Sequence, residues 1–361
     1  MARDDPSATF SARPTVRIDG QQLPMLDVNL TRFKVRESVG GMTTLELTIC
    51  DILSFADGHA GYGATAAAPL KLGAAVKIFA GPTTEPQEIF DGGVTAIEAE
   101  AGPDMAPQFT ILAEDRLFTA RRSRRTRTFD AAAPADVVKT IAGDHGLTPE
   151  IGDGLDRPVK VWLQNNESDL AFLRRVLAGV DADLQVVGTA LQVRKLAKVP
   201  RNKVSLALGD TLLRGRFTAD LAEQATEVVV ASFDPASGEK VKAVVTSGDL
   251  GPGTGSDGPA VAKKLFTTLR ETVGFLGPMT DSEGQSAAEA QYGQRARRFV
   301  RVDGTAQGSG EIRVGTQLTV TGMNPFFNND YLVTQAIHRF DLETGYLTDF
   351  LAESAYLGAG A

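Results

Sequence analysis

Apolar and polar residues alternate with period two through the first third of the chain. Thr15-Val16-Arg17-Ile18, Thr44-Leu45-Glu46-Leu47-Thr48-Ile49, Ala75-Val76-Lys77-Ile78-Phe79 and Phe109-Thr110-Ile111-Leu112 are the clearest runs. Successive side chains of a strand face opposite sides, so each run has one apolar and one polar face. This predicts antiparallel β structure over residues 14–118. Asp19-Gly20 and Asp91-Gly92-Gly93 read as turns between runs. The Gly- and Ala-rich stretch Ser54 to Pro69 reads as a long loop.

The period then lengthens. Pro134 suits a first helical turn, Val137, Val138 and Ile141 form a stripe, and Gly143 or Gly146 supplies the stop. A second helix is predicted from Asn166 as its cap, with Asp169 at the third helical position. Leu170, Leu173, Val176 and Leu177 line one face, and Gly179 ends it. Asp183–Val187 and Ala190–Arg194 follow as strands joined across Gly188.

β character returns with Val204–Leu208, Glu227–Phe233 and Lys240–Thr246, the last two joined by a turn from Asp234 to Gly238. An excursion interrupts it: a Gly-rich loop from Gly248 to Gly258, an amphipathic helix Pro259–Val273, a loop Gly274–Gly284 and a helix Ser286–Phe299. Strands resume at Glu311, among them Gln317–Thr321 and Tyr331–Phe340, and run to about Ala355. The fold class is therefore β-rich α+β. The partition is a first β domain (residues 1–127), a small α+β domain (128–197), and a second β domain (198–247 and 310–361) carrying a helical and loop insertion (248–309). Two β domains of similar kind suggest internal duplication.

Charge narrows the function classes. Lys+Arg number 37 against 45 Asp+Glu, a net charge of −8. This argues against stable gripping of nucleic acid, which calls for a basic face. A single cysteine, Cys50, excludes an internal disulfide; among Val, Leu and Ile neighbours it reads as a small buried hydrophobe. The polar N-terminus is no secretion signal, and no apolar run approaches the roughly 20 residues that span a bilayer. No membrane anchor is expected, and manufacture in the cytoplasm fits.

Candidate chemistry is sparse. His59, His145 and His338 share no helix face, so no metal site is supported. His145 sits at a helix end, where an imidazolium is favoured, and His338 at a strand end as a packing or hydrogen-bonding residue. Gly253-Thr254-Gly255-Ser256-Asp257-Gly258 spells a dinucleotide fingerprint, but five residues separate it from the preceding strand, Pro259 opens the helix after the glycines, and no parallel strand is expected to follow. It reads as a flexible loop. Glu98 and Glu100 have no His or Ser beside them to complete an acid/base pair. No catalytic, cofactor-binding or metal residue is assigned, and the chain is not expected to be an enzyme. Arg121, Arg122, Arg124, Arg125 and Arg127 form the densest charge feature. As a strand, Arg122 and Arg124 would share one face and the other three mostly the opposite one. These arginines are the candidate partner-contact residues, weighed against a solvated edge that blocks strand pairing.

Segment order carries a resemblance. Leu112-Ala113-Glu114-Asp115-Arg116-Leu117 runs into the arginines. Ala135-Asp136-Val137-Val138-Lys139-Thr140-Ile141-Ala142 and Gly146-Leu147 follow, then Asn166-Glu167-Ser168-Asp169-Leu170-Ala171-Phe172-Leu173-Arg174-Arg175-Val176-Leu177, and near the end Asn329-Asp330-Tyr331-Leu332-Val333-Thr334-Gln335-Ala336-Ile337-His338-Arg339. Over nearly its whole length the chain resembles the phage late control protein D family and the hub-like N-terminal half of VgrG proteins. The resemblance implies two tube-like antiparallel β-barrel domains and a homotrimeric baseplate hub. Such a hub of a contractile phage tail or injection system joins a sixfold inner tube to a threefold spike. Its implied partners are a separately encoded spike protein, since the chain stops before any spike segment, the inner tube protein or a tube initiator, and baseplate wedge proteins. Its implied place is the virion tail or injection particle. The hub of a non-contractile tail, or a ligand-binding or cell-wall-cleaving tail module, are the alternatives.

Overall fold

The computed structural model describes residues 13–50, 52–54, 60–62, 70–82, 85–102, 105–198, 201–274 and 277–358. The alternating runs form strands as their periodicity predicts, and most belong to one 13-stranded sheet. Its main path runs Leu212–Ala219, Val300–Gln307, Gly345–Ser354, Asp330–Asp341, Leu30–Ser38, Thr44–Cys50, Met105–Glu114, Gln87–Gly102, Ala75–Ala80, Thr15–Ile18 and Gln21–Gln22. Gln317–Thr321 branches from Asp330–Asp341 and pairs in parallel with Lys203–Ala207. All other neighbours in this sheet are antiparallel.

Two separate closed barrels are not found among the described residues; the two halves merge. Seven consecutive residue pairs, from Gln335↔Ser38 to Asp341↔Arg32, stitch the Asp330–Asp341 strand to Leu30–Ser38. Periodicity predicts a strand but not its neighbour, and this long-range pairing lies beyond it. Each half still builds its own core. Val16, Ile18, Val35, Leu47, Val76 and Ile111 pack in one, joined by Phe340 and Tyr346 from the far half. Leu212, Val302, Leu318, Val320, Tyr331 and Phe350 pack in the other.

Among the described residues six helices accompany the strands: α1 (Pro24–Asn29), α2 (Phe118–Arg122), α3 (Pro134–Asp144), α4 (Asp169–Ala178), α5 (Gly258–Phe266) and α6 (Asp281–Arg297). The α3 stripe of Val137, Val138 and Ile141 and the α4 stripe of Leu170, Leu173, Val176 and Leu177 are buried together with Trp162, Leu184, Leu191 and Val193. The cap of α4 is Ser168, whose hydroxyl accepts from the Ala171 N–H at 3.2 Å, not Asn166. Asn166, at φ 49°, lies inside the Lys160–Ser168 strand, which places Asp169 first in the helix.

Several predicted boundaries move. Asp91-Gly92-Gly93 is no turn: it lies within the 16-residue Gln87–Gly102 strand, where a Cβ at Gly92 would collide with the Glu114 carbonyl of the neighbouring strand. Glu227–Phe233 and Lys240–Val245 lie outside the large sheet. With Arg270–Val273 they form a three-stranded sheet covered by α6, and Val228, Val230, Val241, Ala288 and Tyr292 make its core. The predicted Pro259–Val273 helix stops at Phe266, because Thr267 takes a positive φ of 66° and Arg270–Val273 becomes a strand. The last helix starts five residues earlier than read, at a capping box of Thr280 and Glu283. Val300–Gln307, read as part of the excursion, pairs along its whole length with Gly345–Ser354. Cys50 is half-buried rather than buried. Most of the Ser54 to Pro69 loop, and His59, lie outside the described residues.

Candidate functional site

The arginine run does not form one strand. Arg121 and Arg122 end α2, and Arg124, Arg125 and Arg127 open the Arg124–Ala132 strand. Four of the five are held within the chain. Arg121 donates to both oxygens of Glu114 at 2.8 and 2.7 Å. Arg124 donates to the Asn166 carbonyl at 3.0 Å. Arg125 and Arg127 converge on Asp144 at 2.8 and 2.7 Å, and Arg127 also reaches Asp169 at 3.0 Å and Gln164 at 2.8 Å. Arg122 lies over the Phe118 ring, 5.2 Å from its centroid. Asp169 is the organiser: it is 1% exposed and also receives Gln164 at 2.8 Å and His145 at 2.9 Å. The helix-start segment that carried the resemblance is thus a charge knot that locks α3, α4 and the arginine strand together.

This geometry gives the arginines of the run unequal structural roles. Arg127→Glu is expected to lower stability by about 2 kcal/mol or more, since it faces two carboxylates, one of them buried. Arg122→Glu should stay within about 0.5 kcal/mol. Urea unfolding of both variants checks this; equal effects would mean that Arg127 is no more structural than Arg122.

The Gly253–Gly258 loop is an ordered clasp. Thr254 exchanges two hydrogen bonds of 2.9 Å with the Asn329 side chain, and Gly258 N–H reaches the Ala355 carbonyl at 3.1 Å. Ser256 and Asp257 pair with Leu357 and Tyr356. A parallel strand does follow, since Arg270–Val273 pairs in parallel with Glu227–Phe233. The loop amides that a phosphate would need at Thr254, Gly258 and Ala260 are nonetheless taken within the chain.

Histidines fall where packing needs them. His145 caps α3 and bridges Thr119 and Asp169 at 3.0 and 2.9 Å. His338 is fully buried, three residues before the end of its strand, and its Nδ1 meets the Tyr346 hydroxyl at 2.9 Å. Burial, with the charge of Arg313, pushes it down to about 3, so it stays neutral near pH 7. Among the described residues no group of three or more His, Cys, Asp or Glu is placed to hold a metal ion. No helix among them is long and apolar enough to cross a membrane.

The richest polar cluster was not visible in the sequence. It surrounds the turn from Ser38 to Thr43, which leads from the Leu30–Ser38 strand to Thr44–Cys50. Small-domain side chains grip that turn through its backbone. Asp183 accepts the Gly40 N–H at 2.6 Å, Arg174 donates to the Gly40 and Gly41 carbonyls at 2.7 and 3.0 Å, and Gln185 donates to the Ser38 carbonyl at 3.0 Å. From the opposite side Asp115 accepts the Thr43 and Leu117 N–H groups at 2.6 and 2.9 Å. Beside it Arg313 donates through Nε to Glu37 at 2.7 Å, across 276 residues of chain. Burial raises the Glu37 carboxyl, and the Arg313 guanidinium more than offsets this, holding it below the usual range. Two clefts flank the turn. One of 660 Å³ lies against Arg174, Leu177, Arg297 and Glu353, and one of 430 Å³ against Glu37, Asp115, Arg201 and Arg313.

Asp115 gives this junction a pH signature. Burial pushes its carboxyl up to about 6, against the pull of two backbone hydrogen bonds. The folded value lies above the roughly 3.9 of a free Asp. The folded state therefore binds the proton first, and this stabilisation is present below about pH 4 and lost as pH rises through about 6. Between pH 4 and 7 the wild type should lose about 2 kcal/mol relative to Asp115→Asn, whose own offset does not vary with pH. Urea midpoints across that range decide it; parallel profiles would mean that Asp115 titrates as a free carboxylate.

A family model described as the Alg8 N-terminal domain matches residues 9–341. The chain belongs to that family. The Alg8 N-terminal domain is not the late control protein D family suggested by segment order. No curated protein matches this Alg8 N-terminal domain chain. Solved structures do. The 43 kDa tail protein of prophage MuSo2 from Shewanella oneidensis superposes with a TM-score of 0.67 at 13% identity, covering 94% of this chain and 97% of that one. A tail protein from Neisseria meningitidis gives 0.67 at 11% identity, covering 96% and 97%. An E. coli protein described as a component of the type VI secretion system gives 0.60 at 15% identity, covering 95% and 79%. At these identities the Alg8 N-terminal domain chain shares their fold.

Proposed function

We propose that this chain is a structural baseplate hub and not an enzyme: a homotrimeric adaptor between a sixfold inner tube and a threefold spike in a contractile phage tail or injection system. The observation that carries the reading is the end-to-end match with a tail protein, 94% of one chain on 97% of the other. The internal organisation supports it. Two sheet halves, each with its own core, are joined by one strand pairing. Three copies of a two-part subunit present six such units around an axis, the geometry needed to meet a sixfold tube and a threefold spike. The two tube-like β domains of the sequence reading then correspond to these halves, fused through a shared sheet. The small α+β domain, gripping the turn from Ser38 to Thr43, would brace the ring from outside. Spike, tube or tube-initiator and wedge proteins are the partners of this reading, and the virion tail or injection particle its place.

Light scattering of the purified protein, alone and with its cognate spike protein, tests the proposal. A trimer in either sample, seen as a threefold ring by electron microscopy, is the expected result. A species that stays monomeric in both samples would remove the hub reading.

A further inference from the structure

The 430 Å³ cleft lies where three parts of the molecule meet: the first half of the sheet, the tip of the small-domain hairpin at Val186, Val187 and Gly188, and the loop from Gly310 to Thr316. Arg201 stands in its wall, where the chain passes from the small domain into the second half of the sheet. Its backbone N–H is fixed on the Gly315 carbonyl at 3.0 Å. Its side-chain Nε is buried and receives no hydrogen-bond partner.

Other arginines of the junction have hydrogen-bonded partners: Arg313 has Glu37, Arg174 two turn carbonyls, and Arg297 has Asp181 at 2.5 Å, though Arg297 Nη1 is itself buried without one. The acids that act on Arg201 through their charge, Asp183 and Glu37, are engaged elsewhere, Asp183 with the Gly40 N–H and Glu37 with Arg313. Burial outweighs their attraction and holds the Arg201 guanidinium below its usual range. Arg201 is half-buried, and leaving its shielded Nε without a hydrogen-bonded partner carries a cost. A ligand that supplies the counter-charge recovers that cost.

We propose that this cleft is a carboxylate-binding site anchored by Arg201. The guanidinium fork matches the two oxygens of one carboxylate. Glu37, Glu88, Asp91, Asp115 and Glu311 in the same walls oppose any anion, and a dianionic phosphate or a polyanion more than a single carboxylate. Val187 at the rim, 52% exposed, offers apolar surface for a short aliphatic stem. The chemistry is that of an acidic side chain from a neighbouring polypeptide or of a free small carboxylate. The assignment does not depend on the hub reading.

Thermal unfolding of the full chain at matched ionic strength and pH, in acetate, chloride or phosphate and with a capped Ala-Glu-Ala tripeptide, tests it. The wild type should rise by about 2 °C at a tenfold excess of carboxylate over its Kd, and not in phosphate. Arg201→Met should show no such rise and, in chloride, should melt no lower than the wild type. Arg201→Lys keeps the charge but loses the fork, and should bind at least about tenfold more weakly; it serves if the Met variant does not fold. Tripeptide binding far tighter than acetate would identify a polypeptide side chain as the ligand, and equal binding a free carboxylate. An unresponsive wild type, an equal response in both variants, or an equal response to phosphate would each overturn the assignment.

Discussion

Arg313→Met is expected to destabilise the protein by about 3–5 kcal/mol, the cost of leaving Glu37 charged and buried without its partner. Glu37 is only 3% exposed, and Arg313 holds it from a loop in the other half of the sheet. The Val314 N–H also points at the same carboxylate, at 3.3 Å. One weak backbone donor does not replace a guanidinium. The double variant Glu37→Gln/Arg313→Met should recover most of the loss, since no charge is then buried and a neutral amide can still accept from Val314. Urea unfolding of the two single variants and the double variant makes a complete cycle. Additive losses would show that the pair does not couple the halves; a double variant milder than Arg313→Met alone is the expected sign that it does.

Gly255→Ala should cost about 3 kcal/mol with no ligand present, from a strained backbone and a steric overlap together. Gly255 has a φ of 109°, a region that L residues avoid, and a Cβ there would run into the Leu357 carbonyl. That collision pushes the clasp off the Tyr356–Leu357 strand and breaks its pairing with Ser256–Asp257. Thermal unfolding of the apo protein reads the effect. A variant as stable as the wild type would mean that the glycine pattern does not serve the fold, and would reopen the loop as a ligand cradle.

Both predictions fall on residues whose roles differ in how far the sequence revealed them. The glycine loop was conspicuous as a string; its distance from the preceding strand argued against a phosphate site, whereas the expectation that the helix opens only after the glycines fails, since α5 starts at Gly258. What it does instead depends on Asn329 and Tyr356, which reach it only through the fold. The Arg121–Arg127 run was equally conspicuous, and its density suggested a partner. Most of its charge is answered within the chain by Glu114, Asp144 and Asp169, and a charge run in one dimension does not reveal its counter-ions. The start of α6 was legible and missed: Thr280-Asp281-Ser282-Glu283 is a capping-box signature. Glu37, Arg174, Asp183 and Arg201 carried no local signal at all.

Local physics was set by the sequence alone. Period-two alternation made the strands, period-3.6 stripes with Pro134 and Gly179 made α3 and α4, and together they made a β-rich α+β protein with small-domain elements in the middle. These features are legible because they depend on neighbours a few residues apart. Tertiary structure alone decided that Leu30–Ser38 and Asp330–Asp341 would be partners, merging two predicted barrels into one sheet. It alone detached Glu227–Phe233 and Lys240–Val245 into a sheet of their own, and it alone assembled the buried charges around the turn from Ser38 to Thr43. Strand partners and buried ion pairs join residues up to 309 positions apart, here Asp341 with Arg32. They are chosen by the global burial of apolar faces and by the need to answer every buried charge, and neither requirement is written in any one stretch of the chain.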